Sequence, residues 1–102
     1  MIVLLSSRYA SVNNGSHDLK IITGAQIRAA RALLGWTAQD LAREAMLGVA
    51  TIRRAEAIDG AVQMTAANLH SVVTAFQRAN VDFLREEGKG YGVFLREKPT
   101  GA

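Results

Sequence analysis

Thr37-Ala38-Gln39-Asp40-Leu41-Ala42-Arg43-Glu44-Ala45-Met46-Leu47-Gly48-Val49-Ala50-Thr51-Ile52-Arg53-Arg54-Ala55-Glu56 is the stretch that decides the fold. Thr37 is followed three residues later by Asp40, the spacing at which a hydroxyl and an N3 side chain each satisfy an orphan amide at a helix start. Ala38, Leu41, Ala42 and Ala45 then recur at helical intervals and give a short apolar face over 38–45. Met46-Leu47-Gly48 interrupts it as a turn. Val49, Ile52, Ala55 and Ile58 resume at intervals of three, which predicts a helix over 49–57 with Arg53 and Arg54 off its apolar stripe.

Upstream, Thr23 with Gln26 repeats the start signal, and Ile27, Ala30 and Leu34 lead to a glycine stop at Gly35, predicting a helix over 24–34. Downstream, Asp59-Gly60 breaks the pattern and Thr65 opens a fourth helix with Ala66, Leu69, Val72, Val73 and Phe76 on one face and Asn80 as its stop. Val81-Asp82-Phe83-Leu84 and Val93-Phe94-Leu95-Arg96 are β-type runs around a glycine-spaced loop at 85–92, so residues 80–98 read as a β-hairpin. Val81, Phe83, Val93 and Leu95 share one face by alternation, and Leu84 and Phe94 fall on the other. The helical core can cover part of the first face, and pairing with the same hairpin of a second subunit hides the second and removes an exposed edge, so a homodimer through these six residues is the expectation.

Residues 1–22 show no sustained period and form a leader to the domain at 23–79. Ile2-Val3-Leu4-Leu5 reads as an added strand or a sticky tail, Asn13-Asn14-Gly15-Ser16 as a loop, and Pro99-Thr100-Gly101-Ala102 as a frayed end. The sequon Asn14-Gly15-Ser16 has no secretory signal beside it, and His17 has no partner for catalysis.

A chain of 102 residues holds one domain, which disfavours an enzyme with its site in an interdomain cleft. With no cysteine and two histidines, thiolate metal sites, disulfides and cysteine nucleophiles are excluded, so no metal or cofactor is implied. The longest early apolar run is too short for a signal core or a membrane span, and a cytoplasmic protein is expected. Chemistry-bearing groups do not converge. Gly88-Lys89-Gly90-Tyr91-Gly92 lacks the strand-to-helix junction of a phosphate cradle, Glu86 and Glu87 are merely adjacent, His70 reads as a surface residue, and Trp36 as a packing lid. An enzyme is therefore not expected. The net charge is +3, and the excess lies in 23–57, with five arginines against three acids, whereas 80–102 balances four against four. Nucleic acid is the partner this suggests. Within that segment, Arg28 and Arg31 read as solvated and Arg53 and Arg54 as contacts.

Two short helices separated by a three-residue turn, the second opening on small residues and exposing arginines, describe a helix-turn-helix. Its second helix must enter a major groove about 12 Å wide, and Gly48, Val49 and Ala50 are small enough to allow the approach. The run from Gln26 to Ala42 with Val49 to Glu56 resembles the Xre family, the lambda-repressor and Cro-like helix-turn-helix proteins. The likeness covers residues 23–79 and rests on the R-x-x-L-G-W-T join, the L-A pair of the second helix and the T-I-x-x-x-E segment of the third. It implies a mainly α fold, a four-helix lambda-repressor-like domain to which the hairpin is appended. It also implies binding to double-stranded operator DNA as a dimer, with Val49, Ala50 and Arg54 facing bases, Thr51, Arg53 and Arg43 near phosphates, and Gln39 among the DNA-binding set. Three positions depart from the family pattern. Met46 stands at a turn position usually held by glycine, which implies either a strained turn or a different geometry. Gly48 replaces a Ser or Thr cap, and Ala38 stands where many relatives reach a phosphate with Gln.

Two functions follow as expectations: a sequence-specific DNA-binding transcriptional regulator, a small dimeric repressor or modulator; or a protein–protein interaction module of antitoxin or anti-activator type on the same scaffold.

Overall fold

The computed structural model describes residues 10–11 and 22–98. The elements are β1 (Ala10–Ser11), α1 (Gly24–Leu34), α2 (Ala38–Ala45), α3 (Val49–Glu56), α4 (Ala66–Arg78), β2 (Val81–Glu86) and β3 (Gly90–Leu95). Four helices and an antiparallel hairpin thus make up most of the described chain. The expectations at 2–5, 13–17 and 99–102 lie outside the described residues.

Local chemistry sets the helix boundaries. The Thr23 and Thr37 hydroxyls accept the Gln26 and Asp40 amides, and the Gln26 and Asp40 side chains accept the cap amides in return. α1 stops at Gly35 with φ 67° and α2 at Met46 with φ 58°, both left-handed. In each case the next amide folds back over the helix end, Trp36 N–H to the Arg31 carbonyl and Leu47 N–H to the Ala42 carbonyl, each at 2.9 Å. α3 ends at Glu56, one residue short of the predicted range, with Ala57 as its cap. Ile58, assigned to the apolar stripe of α3, is consequently past the helix and exposed. Ala66, assigned to the apolar face of α4, is exposed as well because it lies in the first turn beside the Thr65 cap.

The core is built by Ile27, Leu41, Ile52, Val72 and Phe76 from the helices and by Val81 and Phe83 from β2, all fully buried. Trp36 stacks on Phe76 with ring centroids 5.5 Å apart, and Phe76 meets Phe83 at the same distance in a tilted arrangement. The aromatic lid therefore continues as a column from the α1–α2 join to the sheet. Ile22, assigned to the leader by its lack of periodicity, belongs to this core. Its carbonyl accepts the Val62 amide at 3.0 Å, Thr23 bridges to Ala61, and Gly24 N–H donates to the Gly60 carbonyl at 2.9 Å. At Gly24 the backbones approach so closely that a Cβ would lie 1.8 Å from the Ile58 carbonyl oxygen and 2.5 Å from that of Ala55. Only glycine fits there.

The sheet differs from the expected two-stranded hairpin. β2 pairs with β3 from Val81↔Leu95 to Glu86↔Gly90, so Arg85, Glu86, Gly90, Tyr91 and Gly92 are strand rather than loop, and the turn narrows to 87–89. Main-chain pairing continues through the glycines because it does not depend on side chains. β1 adds on the far side of β2, through Ala10↔Arg85 and Ser11↔Leu84, giving the order β1-β2-β3. Val81 and Phe83 are buried and Val93 packs against the core, but Leu95 on the same face is 42% exposed. The apolar face is covered only in part. Two polar clasps fix the sheet to the helices. The Gln26 amide nitrogen donates to the carbonyls of Leu84 and Gly92 at 3.1 and 2.9 Å. The Arg96 guanidinium donates to the Asp82 carboxylate, to the Gln77 carbonyl at 3.0 Å and to the Asn80 side chain at 3.3 Å.

Candidate nucleic-acid interface

α3 is presented by what holds its two ends. At its start, the left-handed Met46 reverses the chain out of α2, and Gly48 begins α3 with no side-chain cap and open space where a Cβ would be. Met46 has φ 58° and ψ 44°, the ordinary left-handed turn, and its side chain is 89% exposed and fills no apolar gap. Of the two geometries that the sequence left open, the structure has the strained one.

At its finish, α3 is clamped by α1. Arg31 meets Glu56 with two parallel bonds, Nε to Oε2 at 2.6 Å and Nη2 to Oε1 at 2.7 Å, and its remaining arm donates to the Trp36 carbonyl at 2.9 Å. Glu56 is 8% exposed, and the hydrogen bonding that its carboxylate accepts from Arg31, together with its charge, raises the Arg31 pKa above the usual arginine value against the opposing effect of burial. Arg28 donates to the Glu56 carbonyl at the last turn of α3 and to Asp59 at 2.5 Å. A cation there also complements the negative end of the helix dipole. Arg28 and Arg31 are thus structural, which corrects the expectation that they are solvated. Gly24, Arg28 and Arg31 fall on one face of α1 at helical spacing, and that face meets the end of α3.

Of the seven residues assigned to DNA contact, Gln39, Arg43, Ala50, Arg53 and Arg54 are exposed, whereas Val49 and Thr51 are half-buried. Val49 leans on the core, which reduces the surface it offers outward. Gln39 and Arg43 sit on α2, where Arg43 is paired with Asp40 at 2.7 Å. The Asp40 carboxylate also accepts the Thr37 amide at 2.8 Å, and that bond, followed by Arg43, holds its pKa below the ordinary carboxylate value. α3 brings Ala50, Thr51, Arg53 and Arg54 together. Among the described residues Arg54 makes only a long bond to the Thr51 hydroxyl, 3.4 Å, and Arg53 has no side-chain partner. Of the five arginines in 23–57, Arg53 and Arg54 are therefore the two without a carboxylate among the described residues. Beside them, an open groove of about 480 Å³ runs between α3 and the start of α4, with Arg54, Gln63, Thr65 and Asn68 in its walls.

Sequence reasoning missed the clamp. Its signal was present, because the arginine of the R-x-x-L-G join and the glutamate of the T-I-x-x-x-E segment are Arg31 and Glu56 themselves. Among the described residues no group of three or more His, Asp or Glu could hold a metal ion, and no helix is long and apolar enough to cross a membrane. No family model and no curated protein matches the chain. The geometry and charge of α3 carry the functional reading by themselves.

Proposed function

We propose that this protein is a sequence-specific DNA-binding transcriptional regulator, a small cytoplasmic repressor or modulator that acts as a homodimer. In this reading α2, the Met46-Leu47-Gly48 turn and α3 form a lambda-repressor-like helix-turn-helix of the Xre type, and α3 enters the major groove. The observation that carries it is the outer face of α3, where Ala50, Arg53 and Arg54 are exposed and both guanidiniums lack a carboxylate among the described residues. An arginine left unpaired beside others that are paired is available to an external anion. Arg54 lies one helical turn beyond Ala50, where its planar fork can meet a guanine edge with two bonds. Arg53 reaches the backbone phosphates on the flank. The mechanism is binding alone, and it needs no cofactor.

Selection of bound duplexes from a random pool, with the salt dependence measured on the winners, tests this. An enriched motif whose affinity falls steeply with salt supports the regulator, and a pool that stays random overturns it. One observation favours a second reading, a protein–protein module of antitoxin or anti-activator type. Met46 exposes a large apolar side chain at the tip of the turn, where contact with a protein surface would be more favourable than contact with phosphate.

A further inference from the structure

Between α1 and β3 an open cleft of about 420 Å³ remains, lined by Ala25 and Ala29 of α1, Asp59 and Gly60 of the segment after α3, and Tyr91 and Val93 of β3. Ala25 and Ala29 are one turn apart and present only methyl groups, and Gly60 has no side chain, so the hollow persists because side chains stop short of it. The polar groups behind it are already spent. The Thr23 hydroxyl accepts the Gln26 amide, and the Gln26 side-chain nitrogen is bonded to the Leu84 and Gly92 carbonyls. What remains is a largely apolar wall of the size that small-molecule sites have, roughly 300–1,000 Å³. The hollow beside Met46 is smaller, about 190 Å³, and the groove beside Arg54 belongs to the α3 surface.

Two features at the mouth of the cleft set the chemistry of an occupant. The Tyr91 ring is 50% exposed on the same sheet face as Val93, and it offers a flat surface on which an aromatic ring can stack. The charges there are unequal. Asp59 is held by Arg28 at 2.5 Å. Arg85 lies opposite Tyr91 in the ladder with its guanidinium 5.7 Å from the ring centroid, and it meets no carboxylate among the described residues. Glu86 falls on the other face of the sheet by alternation and is paired with Lys89. The cleft thus has an uncompensated positive charge beside it.

We propose that this cleft binds a small aromatic carboxylate, its ring between Ala29 and Tyr91 and its carboxylate on Arg85, and that occupancy is passed to α3. The route is short. Asp59 and Gly60 follow α3 directly, and Arg28 donates both to Asp59 and to the Glu56 carbonyl at the last turn of α3. A ligand wedged against Asp59 therefore bears on the contact that holds the end of α3. The cleft exists in the arrangement where that contact is made, so a ligand that fills it favours this arrangement and, with it, duplex binding. The effect on the duplex rests on the proposed function, and the site does not.

Titration calorimetry on the full chain without DNA, with 2-naphthoate as the probe, finds saturable binding with a Kd below about 1 mM. The uncharged 2-naphthylmethanol and the cationic 2-naphthylmethylamine bind at least about tenfold more weakly. Ala29→Phe places a ring in the cleft from an exposed position of α1 and weakens 2-naphthoate at least about tenfold while circular dichroism stays native. Arg85→Gln brings the carboxylate down to the affinity of the alcohol and leaves the alcohol unchanged. If Ala29→Phe does not fold, Arg85→Gln decides. The link to α3 is read at the Ala57 amide, which donates to the Arg53 carbonyl at the helix end. With the cleft saturated, its exchange slows at least about threefold relative to the Leu41 amide at the start of α2, and the selected duplex binds more tightly. Absence of saturable binding up to about 5 mM probe, a carboxylate no better than the alcohol, or a folded Ala29→Phe that binds like the parent overturns the site. Unchanged exchange at Ala57 overturns the link. A random duplex pool overturns the proposed function instead and leaves the calorimetry and the exchange standing.

Discussion

Arg28 and Arg31 on α1 and Arg53 and Arg54 on α3 are two arginine pairs of the same composition with opposite fates. The α1 pair is spent inside the molecule, on Glu56, Asp59 and the last carbonyl of α3. The α3 pair has no carboxylate among the described residues. What separates them is position. The α1 pair shares a face with Gly24, whose missing side chain lets α1 close on the end of α3, and the α3 pair lies on the face opposite Ile52 and Ala55. The first pair therefore governs stability and orientation, and the second governs what the surface can hold.

The comparison breaks most visibly at Gly24. Gly24→Ala forces a Cβ into two backbone carbonyls and is expected to cost about 3–5 kcal/mol, a fall in Tm on the order of 20 °C in a thermal melt. Glu56→Ala comes next. It leaves the half-buried Arg31 guanidinium without its counter-ion and should cost about 2–3 kcal/mol in denaturant unfolding, together with loss of duplex binding because α3 is no longer held. Arg54→Ala should do the reverse: unfolding within about 0.5 kcal/mol of the parent, binding to the selected duplex weaker by about 1–3 kcal/mol, and preference relaxed at one base position. Arg53→Ala should weaken binding evenly and flatten the salt slope by about one unit. If Arg53 or Arg54 proves as costly to stability as Glu56, the division between the two pairs is wrong.

Two smaller effects sharpen the contrast at the start of α3. Met46→Gly removes the cost of a left-handed non-glycine residue and should raise stability by about 1 kcal/mol, a few degrees in Tm. The side chain is exposed, so no packing offsets the gain. The smallest effect concerns Asp40. Its folded pKa is depressed, so its cap on α2 contributes fully above the ordinary carboxylate value and is lost as pH falls through the depressed one. The protection of amides in the first turn of α2, taken relative to their intrinsic exchange rate at each pH, should fall on acidification in the parent and be flatter with pH in Asp40→Asn.

The readable parts of the fold were those whose cause is local. The Thr23/Gln26 and Thr37/Asp40 caps, the Gly35 stop and the helical spacing of Leu41 or Ile52 each operate within a turn or two of chain, and the structure has the helices at those places. Gln26 shows the limit. Its role in the cap was legible, but its bonds to Leu84 and Gly92 reach across 58 and 66 residues and leave no local trace. β1 is two residues long, too short for a period, and β2 and β3 run on through Arg85 and the glycines because a ladder is made of backbone. At the candidate interface the exposed arginines of α3 were legible from their place off the apolar stripe. Arg28 and Arg31 were not, because the acids that claim them come from beyond α1.

The backbone bonds at Ile22–Val62 and Gly24–Gly60 tie the start of α1 to the segment after α3, so α2, its turn and α3 all lie within one closed loop of chain. Closing such a loop costs entropy that grows only as the logarithm of its length, so a few residues inserted at the turn would add little to the cost of closure. Opening the tie would instead release both helices together. The helix pair and the clasp behind it thus form one cooperative unit, and in native-state exchange the Val62 and Gly24 amides should be lost only on global unfolding, later than those of the exposed end of β3.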